Sequence, residues 1–221
     1  MSQDIKLDLM RSERVGFGEA VLCAQKSSDQ IGRILRQAGD AGVALLLTRL
    51  APEKRADLGA DVSDLLDYDP VSATAFFNLS APPPPRHAAR FKVAVVAAGT
   101  SDAGPAYEAM RTLSFHGVAG EAIMDVGVAG LWRLMERLEE IRRHDVIIAV
   151  AGMDAALPSV LGGLVAKPLI AVPTSAGYGA ARDGETALAA CLASCAPGIT
   201  VCNIDNGYGA ACAALRIMAL R

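Results

Sequence analysis

Four apolar, strand-like runs in this sequence end in glycine and small polar residues, the arrangement that lets a parallel sheet hold a ligand at its carboxyl edge. Lys92-Val-Ala-Val-Val-Ala-Ala leads into Gly99-Thr100-Ser101-Asp102, and Val146-Ile-Ile-Ala-Val-Ala leads into Gly152-Met153-Asp154. Leu169-Ile-Ala-Val precedes Pro173-Thr174-Ser175-Ala176-Gly177-Tyr178-Gly179, and Ile199-Thr-Val-Cys precedes Asn203-Ile204-Asp205-Asn206-Gly207-Tyr208-Gly209. Glycine at such strand ends lets backbone N–H groups close on a phosphate or carboxylate. The amides and hydroxyls of Gly99, Thr100, Ser101 and Asp102 suit a phosphate or ribose, and they serve a simple helix N-cap equally well. Asp125, ahead of Gly127 and Gly130, either caps the next helix or takes ribose hydroxyls. Asp154 opens an apolar helix, where it either complements the helix dipole or acts as a general base. Cys195 closes a helix before Ala196-Pro197-Gly198. A cysteine there is ordinarily a small buried apolar residue, and the carboxyl end of a helix disfavours a thiolate. Nucleophilic use of Cys195 therefore calls for a nearby cation, which the substrate itself can supply. Cys23, Cys191, Cys202 and Cys212 read as packing residues. The two Gly-Tyr-Gly loops, with Tyr178 and Tyr208, each offer an aromatic that can stack on a ring, which turn chemistry alone does not demand.

These residues need a scaffold, and the pattern around them predicts one. Ala81 through Arg86 holds four consecutive prolines, a stiff spacer that neither a helix nor a central strand tolerates. The chain therefore divides into a small α/β domain over 1–80, a linker over 81–89 and a larger domain over 90–221. In the first domain, Ile31, Ile34 and Leu35 at helical spacing predict a helix over 29–38, with Asp29 as N-cap and Gly39 just past its end. Gly32 weakens that helix by about 1 kcal/mol relative to alanine. Val43-Ala-Leu-Leu-Leu-Thr reads as a buried strand. In the second domain, strands are expected near 91–98, 119–125, 145–151, 168–172 and 199–204. They alternate with helices near 105–115, 130–143, 155–165, 183–195 and 208–219. Leu131, Leu134, Met135, Leu138 and Ile141 form the apolar stripe of the second of these helices. This alternation predicts a doubly wound parallel sheet of five strands in flavodoxin-like order.

Composition narrows the function classes. The 221 residues are 52% hydrophobic but only 5% aromatic, so alanine, valine and leucine supply the apolar mass, and small-residue helices of this kind suit burial between subunits. A net charge of −3 gives no basic groove, so no nucleic-acid partner is expected. The apolar runs are broken well short of a membrane span, so no membrane partner is expected, and no signal peptide is read at the N-terminus. Five cysteines without a CxxC suit a reducing cytoplasm. Cys191 and Cys195 lie one helical turn apart, but His87, His116 and His144 fall in no ligand spacing around them, which argues against structural zinc.

The sequence resembles the LarB family, the pyridinium-3,5-biscarboxylic acid mononucleotide synthases of nickel-pincer cofactor biosynthesis. The likeness is carried by Gly99-Thr-Ser-Asp, Asp125-Val-Gly-Val-Ala-Gly, Ala151-Gly-Met-Asp-Ala-Ala-Leu-Pro-Ser-Val, Val172-Pro-Thr-Ser-Ala-Gly-Tyr-Gly, Ala193-Ser-Cys-Ala-Pro-Gly-Ile-Thr and Asn203-Ile-Asp-Asn-Gly-Tyr-Gly-Ala. Leu7-Asp8, Arg11, Arg14-Val-Gly, Glu19 and Lys26 look like the family's opening, and Tyr68-Asp69-Pro70 like its segment before the linker. The C-terminal domain is in turn similar to PurE-type carboxyaminoimidazole ribonucleotide mutases. The resemblance implies carboxylation of the pyridine ring of nicotinic acid adenine dinucleotide by CO2, with phosphoanhydride cleavage releasing AMP. It implies Mg2+ as cofactor, with ligands that it does not identify, CO2 as co-substrate, and no tightly bound organic cofactor. It also implies a homo-octamer with sites shared between subunits. Cys195 matches the family nucleophile and Asp154 the family acid, as the catalytic pair. Substrate contacts fall to Gly99, Thr100, Ser101, Asp102, Asp125, Thr174, Ser175, Gly177, Tyr178, Gly179, Asn203, Asp205, Asn206 and Gly207. Two positions depart from the family: Asp154 stands for a glutamate, and Trp132 for a histidine. Alternatives are a PurE-type aminoimidazole ribonucleotide carboxylase or mutase, which uses a histidine where Trp132 stands, and a divergent non-catalytic nucleotide-binding regulator.

Overall fold

The computed structural model describes residues 5–8, 10–79 and 91–219; the predicted linker over 81–89 lies outside these residues. The chain forms two compact units, Met1–Pro83 and Pro84–Arg221.

The first unit is built on a four-stranded sheet in the order β1-β2-β4-β3. Its strands are β1 (Ala20–Leu22), β2 (Leu45–Thr48), β3 (Leu66–Asp69) and β4 (Thr74–Phe77). The short helices α1 (Arg11–Val15), α3 (Pro52–Ala56) and α4 (Ala60–Ser63) flank a longer α2 (Ser28–Asp40). Ile31, Leu35 and Ala38 of α2 bury fully against the sheet with Leu45, Leu47 and Phe77. The cap of α2 differs from the expectation. Ser27 Oγ accepts the Gln30 N–H at 3.2 Å, and Gln30 Oε1 accepts the Ser27 N–H at 2.9 Å, which is a reciprocal capping box. Asp29 instead pairs with Arg33 at 3.0 Å, and Gly39 lies inside the helix, facing the Phe77 ring. Serine wins the cap because Gln30 stands three residues after it, whereas three residues after Asp29 stands Gly32, with no side chain to return a bond.

The second unit is a five-stranded, wholly parallel sheet in the order β6-β5-β7-β8-β9. Its elements are β5 (Val93–Ala97), α5 (Ala103–Phe115), β6 (Gly120–Ile123), α6 (Leu131–Arg142), β7 (Val146–Ala151), α7 (Ala156–Leu164), β8 (Leu169–Pro173), α8 (Glu185–Leu192), β9 (Ile199–Val201) and α9 (Gly207–Met218). This is the expected 2-1-3-4-5 order, with the reversal of strand order beside β5. Every residue of β5, β7 and β8 is buried, as a sheet covered on both faces requires. Alternate residues go to opposite layers. Val93, Val95, Ile148 and Val150 pack with α5 and α9, while Ala94, Val96, Ile147 and Ala149 pack with α6, α7 and α8.

Small residues set how closely α5 and α9 approach. Ala106, Ala109, Ala210, Ala211 and Ala214 are all fully buried, and a Cβ on Gly207 would collide with the Pro105 carbonyl. Two expected boundaries move. α8 ends at Leu192 rather than near 195, and β9 ends at Val201, before Asn203-Ile204-Asp205 turns out of the sheet. Of the predicted α6 stripe, Leu134, Leu138 and Ile141 are buried, but Leu131 and Met135 are 46% and 47% exposed. Among the described residues no helix is long and apolar enough to cross a membrane.

Candidate active site

The carboxyl ends of β5, β7 and β8 meet on one carboxylate. Asp102, only 4% exposed, ends the 3-10 turn over Thr100–Asp102 that leads into α5. Its Oδ2 accepts the Gly99 N–H at 2.8 Å and its Oδ1 accepts the Thr174 hydroxyl at 2.6 Å. The Gly152 N–H donates to the same carboxylate. Burial holds its protonation above the ordinary carboxylate range, opposed by these three bonds and reinforced by the charge of Asp205. Asp102 thus makes no side-chain cap for α5; it ties together the loops after three neighbouring strands.

Asp205 does the same one strand further on. Its N–H donates to the Pro173 carbonyl and its Oδ1 accepts the Ser175 N–H, both at 2.9 Å. Asn206 caps α9, its Oδ1 accepting the Gly209 N–H at 2.7 Å. On the other side of β5, the Val126 N–H donates to the Ala97 carbonyl, and a Cβ on Gly127 would lie 2.8 Å from the Ala98 carbonyl oxygen. Asp125 neither caps α6 nor stands alone: its carboxylate pairs with Arg133 at 2.8 Å.

Backbone strain concentrates on this edge. Asp125, Met153, Ala155, Arg182, Asp183 and Asp205 are non-glycine residues in the left-handed region, with φ between 47° and 59°. Such conformations cost of order 1–3 kcal/mol each and persist where surrounding contacts enforce them, commonly at binding sites. Met153 and Ala155 flank Asp154, so the turn after β7 presents that carboxylate outward, exposed. The Met153 N–H is held by the Ala176 carbonyl at 2.8 Å, and Gly152 has no room for a Cβ against Ala176 and the Thr174 hydroxyl. Thr100, Ser101, Ser175, Gly177, Tyr178, Gly179 and Asn203 are exposed around this rim, with Tyr178 at 82%. The edge offers free hydroxyls, amides and an aromatic above a rigid, acid-tied floor. That arrangement suits a polar, ring-bearing ligand.

Cys195 sits elsewhere in the chain's geometry. It is exposed on the connection from α8 to β9, which enters β9 from the edge opposite the carboxyl-end loops. Ser194 Oγ lies 2.7 Å from Ser159 Oγ of α7 and accepts the Ala196 N–H at 3.2 Å, fixing this connection against α7. Gly162 of α7 leaves room for Ala196. Cys23, Cys191 and Cys212 are buried and Cys202 is half-buried. Burial pushes the Cys23 thiol up to about 12 and the Cys191 thiol up to about 11.

Two residues gained a place that motif reading did not give them. Arg133 holds Asp125, a pairing that i-to-i+8 separation hides in sequence. Glu108, 3% exposed on α5, accepts the Tyr208 N–H at 3.1 Å across 100 residues, so it supports the second Gly-Tyr-Gly loop. A cavity of about 370 Å3 in the first unit is lined by Lys6, Glu19, Lys26 and Arg33 with apolar β1 and α2 side chains.

The second unit is a doubly wound α/β sheet whose carboxyl-edge loops are tied by Asp102 and Asp205. Residues 92–221 match the family described as AIR carboxylase, and residues 2–79 match the LarB/PurE-like N-terminal domain. The chain belongs to the LarB family, with a PurE-like C-terminal domain. These domains are those of carboxylase- and mutase-type enzymes. The chain is 36% identical over 213 residues to an uncharacterized protein of Methanocaldococcus jannaschii, covering 95% of this chain and 82% of that one. It is 39% identical over 134 residues to an N5-carboxyaminoimidazole ribonucleotide mutase of the same organism, covering 58% of this chain and 80% of the mutase. A crystal structure of a PurE2 variant from Treponema denticola aligns at a TM-score of 0.47 and 22% identity, over 59% of this chain and 81% of that chain.

Proposed function

We propose that this protein carboxylates the pyridine ring of nicotinic acid adenine dinucleotide with CO2 and hydrolyses its phosphoanhydride. The products are AMP and pyridinium-3,5-biscarboxylic acid mononucleotide. The observation that carries the reading is the joining of a LarB-type N-terminal domain to an AIR carboxylase domain that keeps an exposed cysteine at position 195.

In this reading the Cys195 thiolate adds to the pyridinium ring, forming a C–S bond and moving a ring electron pair onto the enamine. The cationic ring supplies both the attraction and the electrophile that a cysteine after a helix end otherwise lacks. The electron-rich ring carbon attacks CO2. Asp154, held outward by its strained turn, takes the proton from that carbon, and cleavage of the C–S bond returns the thiolate and restores aromaticity. One CO2 is consumed and one proton released per ring. Water cleaves the phosphoanhydride separately. The rim of Thr100, Ser101, Ser175 and Gly177 would hold the phosphates and ribose through hydroxyl and amide groups.

Cys195 lies on the α8–β9 connection, which Ser194 and Ala196 hold against α7, and not among the carboxyl-edge loops. A complete site takes Cys195 from one copy of the chain and the Asp102–Thr174–Asp205 edge from another, consistent with the homo-octamer the resemblance implies. Magnesium is treated differently. Among the described residues no group of three His, Cys, Asp or Glu side chains converges to hold a metal. A Mg2+ cage built from the described residues of one chain therefore does not fit, whereas Mg2+ carried by substrate phosphates needs only one or two carboxylates and water.

The test is mass spectrometry of purified protein given nicotinic acid adenine dinucleotide, bicarbonate and magnesium, beside a Cys195→Ala control. The carboxylated mononucleotide and AMP, absent from the control, support the reading; an unaltered dinucleotide refutes it. The 39% identity to a carboxyaminoimidazole ribonucleotide mutase favours a second reading, an aminoimidazole ribonucleotide carboxylase or mutase. Turnover of that ribonucleotide, retained in Cys195→Ala, would replace the first reading with the second. Binding of either nucleotide without turnover would favour a regulator.

A further inference from the structure

We infer that Trp132 is the platform on which the cationic pyridine ring of the substrate stacks, an assignment that rests on the carboxylation reading. Trp132 is the single tryptophan of the chain and leaves 65% of its surface exposed. Indole is a large apolar surface that folding normally covers, so an open one beside a candidate site is an observation in its own right.

Its position is fixed by its neighbours. Trp132 lies in the first turn of α6, directly after the Gly127–Gly130 segment. That segment packs against the Ala98 carbonyl at the end of β5, next to the Gly99–Asp102 turn, and its Val128 joins the core that contains Ala155 after β7. The next residue, Arg133, folds back over Gly130 and onto Asp125, so the first turn of α6 is anchored and the guanidinium charge is neutralised there. The first turn of α6, which carries the indole, therefore stands at the carboxyl edge beside the loops after β5 and β6.

The face around it has a definite chemistry. Met135 and Glu136 lie three and four residues on, which places them beside Trp132 on the helix surface. Met135 is 47% exposed and Glu136 is exposed as well. An open indole face with a thioether beside it and a carboxylate one turn away selects a flat aromatic cation over a neutral ring or an anion. The pyridinium of nicotinic acid adenine dinucleotide is such a cation, and its adenine is not.

Because the chain has one tryptophan, its intrinsic fluorescence reports this position alone. The experiment titrates the full-length protein with the dinucleotide, with N-methylnicotinate, which carries the cationic pyridinium ring and its carboxylate but no nucleotide, and with AMP. Saturable quenching by the two pyridinium compounds but not by AMP is expected. Trp132→Ala should raise KM for the dinucleotide about tenfold while leaving kcat within about twofold, with Trp132→Phe in between.

Equal quenching by AMP, or an unchanged KM in Trp132→Ala, overturns the assignment while leaving the carboxylation reading intact if product still forms. A changed assembly mass for Trp132→Ala by light scattering, without any quenching in the parent protein, overturns it in favour of a subunit contact. If the parent protein forms no product, the carboxylation reading fails. The N-methylnicotinate titration then still decides whether Trp132 binds an aromatic cation.

Discussion

Replacing Thr174 with valine removes one hydroxyl from the point where three strand ends are joined. Thr174 is 1% exposed, and its Oγ1 donates to Asp102 Oδ1 at 2.6 Å. Valine keeps the shape and leaves a buried carboxylate oxygen without its donor, while the Gly99 and Gly152 N–H groups still bind Asp102. A hydrogen bond to a charged group contributes about 1.5–3 kcal/mol, so a loss of about 2 kcal/mol is expected at neutral pH. For a unit of this size that lowers Tm by roughly 4–8 °C. The loss has a pH signature. Burial raises the Asp102 pKa above the ordinary carboxylate range, and the Thr174 bond opposes that rise. Between the unfolded value and the raised folded value the native state binds the extra proton, so stability falls as pH rises through that window. Without the hydroxyl the folded value moves higher still, so Thr174→Val takes up the proton first on acidification. Its deficit is then full above the variant's folded pKa and shrinks as pH falls through that value. Differential scanning calorimetry of both proteins at matched concentration, in a pH series from neutral downward, measures this. A Tm difference below about 1 °C at neutral pH, or one that grows on acidification, would refute the argument.

Alkylation with iodoacetamide near neutral pH should label Cys195 first, because it is the exposed thiol while burial raises Cys23, Cys191 and Cys202; peptide mapping that finds Cys191 or Cys23 first contradicts the placement. Mixed assemblies of Cys195→Ala and Asp154→Asn chains should recover part of the activity that each loses alone, since each copy lends its intact half to a neighbour; no recovery after verified mixing places both groups in one chain's site. Gly207→Ala should fail to accumulate as soluble protein, because its Cβ meets the Pro105 carbonyl and lies 2.9 Å from the Ala109 nitrogen. Gly163→Ala, with open space at the Cβ, should instead raise stability by the helix preference of alanine, about 0.5–1 kcal/mol, read as a higher Tm.

The second unit was largely readable from its sequence, and the reason is physical. Doubly buried parallel strands such as Val146–Ala151 must be continuous apolar runs, and the helices between them show their caps and stripes. Boundaries moved where side chains from afar decide them. Ser159 holds Ser194 and releases the chain from α8 three residues before Cys195, and Asp205 is drawn to Pro173 and Ser175 out of β9. The first unit was less legible. Only α2 and β2 were expected there, because β1 and β3 are three or four residues long and mix exposed and buried positions, and β4 is only four residues long, though all four are buried. In the site, the rim glycines and acids announced themselves as strand-end motifs. The three-donor role of Asp102, the Asp125–Arg133 pair and the Glu108–Tyr208 bond depend on tertiary approach, and no local spacing encodes them.

The central claim is that ring carboxylation requires Cys195. Incubation with nicotinic acid adenine dinucleotide, magnesium and carbon-13 bicarbonate, read by mass spectrometry of the released mononucleotide, tests it most directly. One labelled carboxyl per mononucleotide with matching AMP is expected from the parent protein, and none from Cys195→Ala. Label incorporated by Cys195→Ala at the parent rate, or AMP released without label by the parent protein, would contradict it.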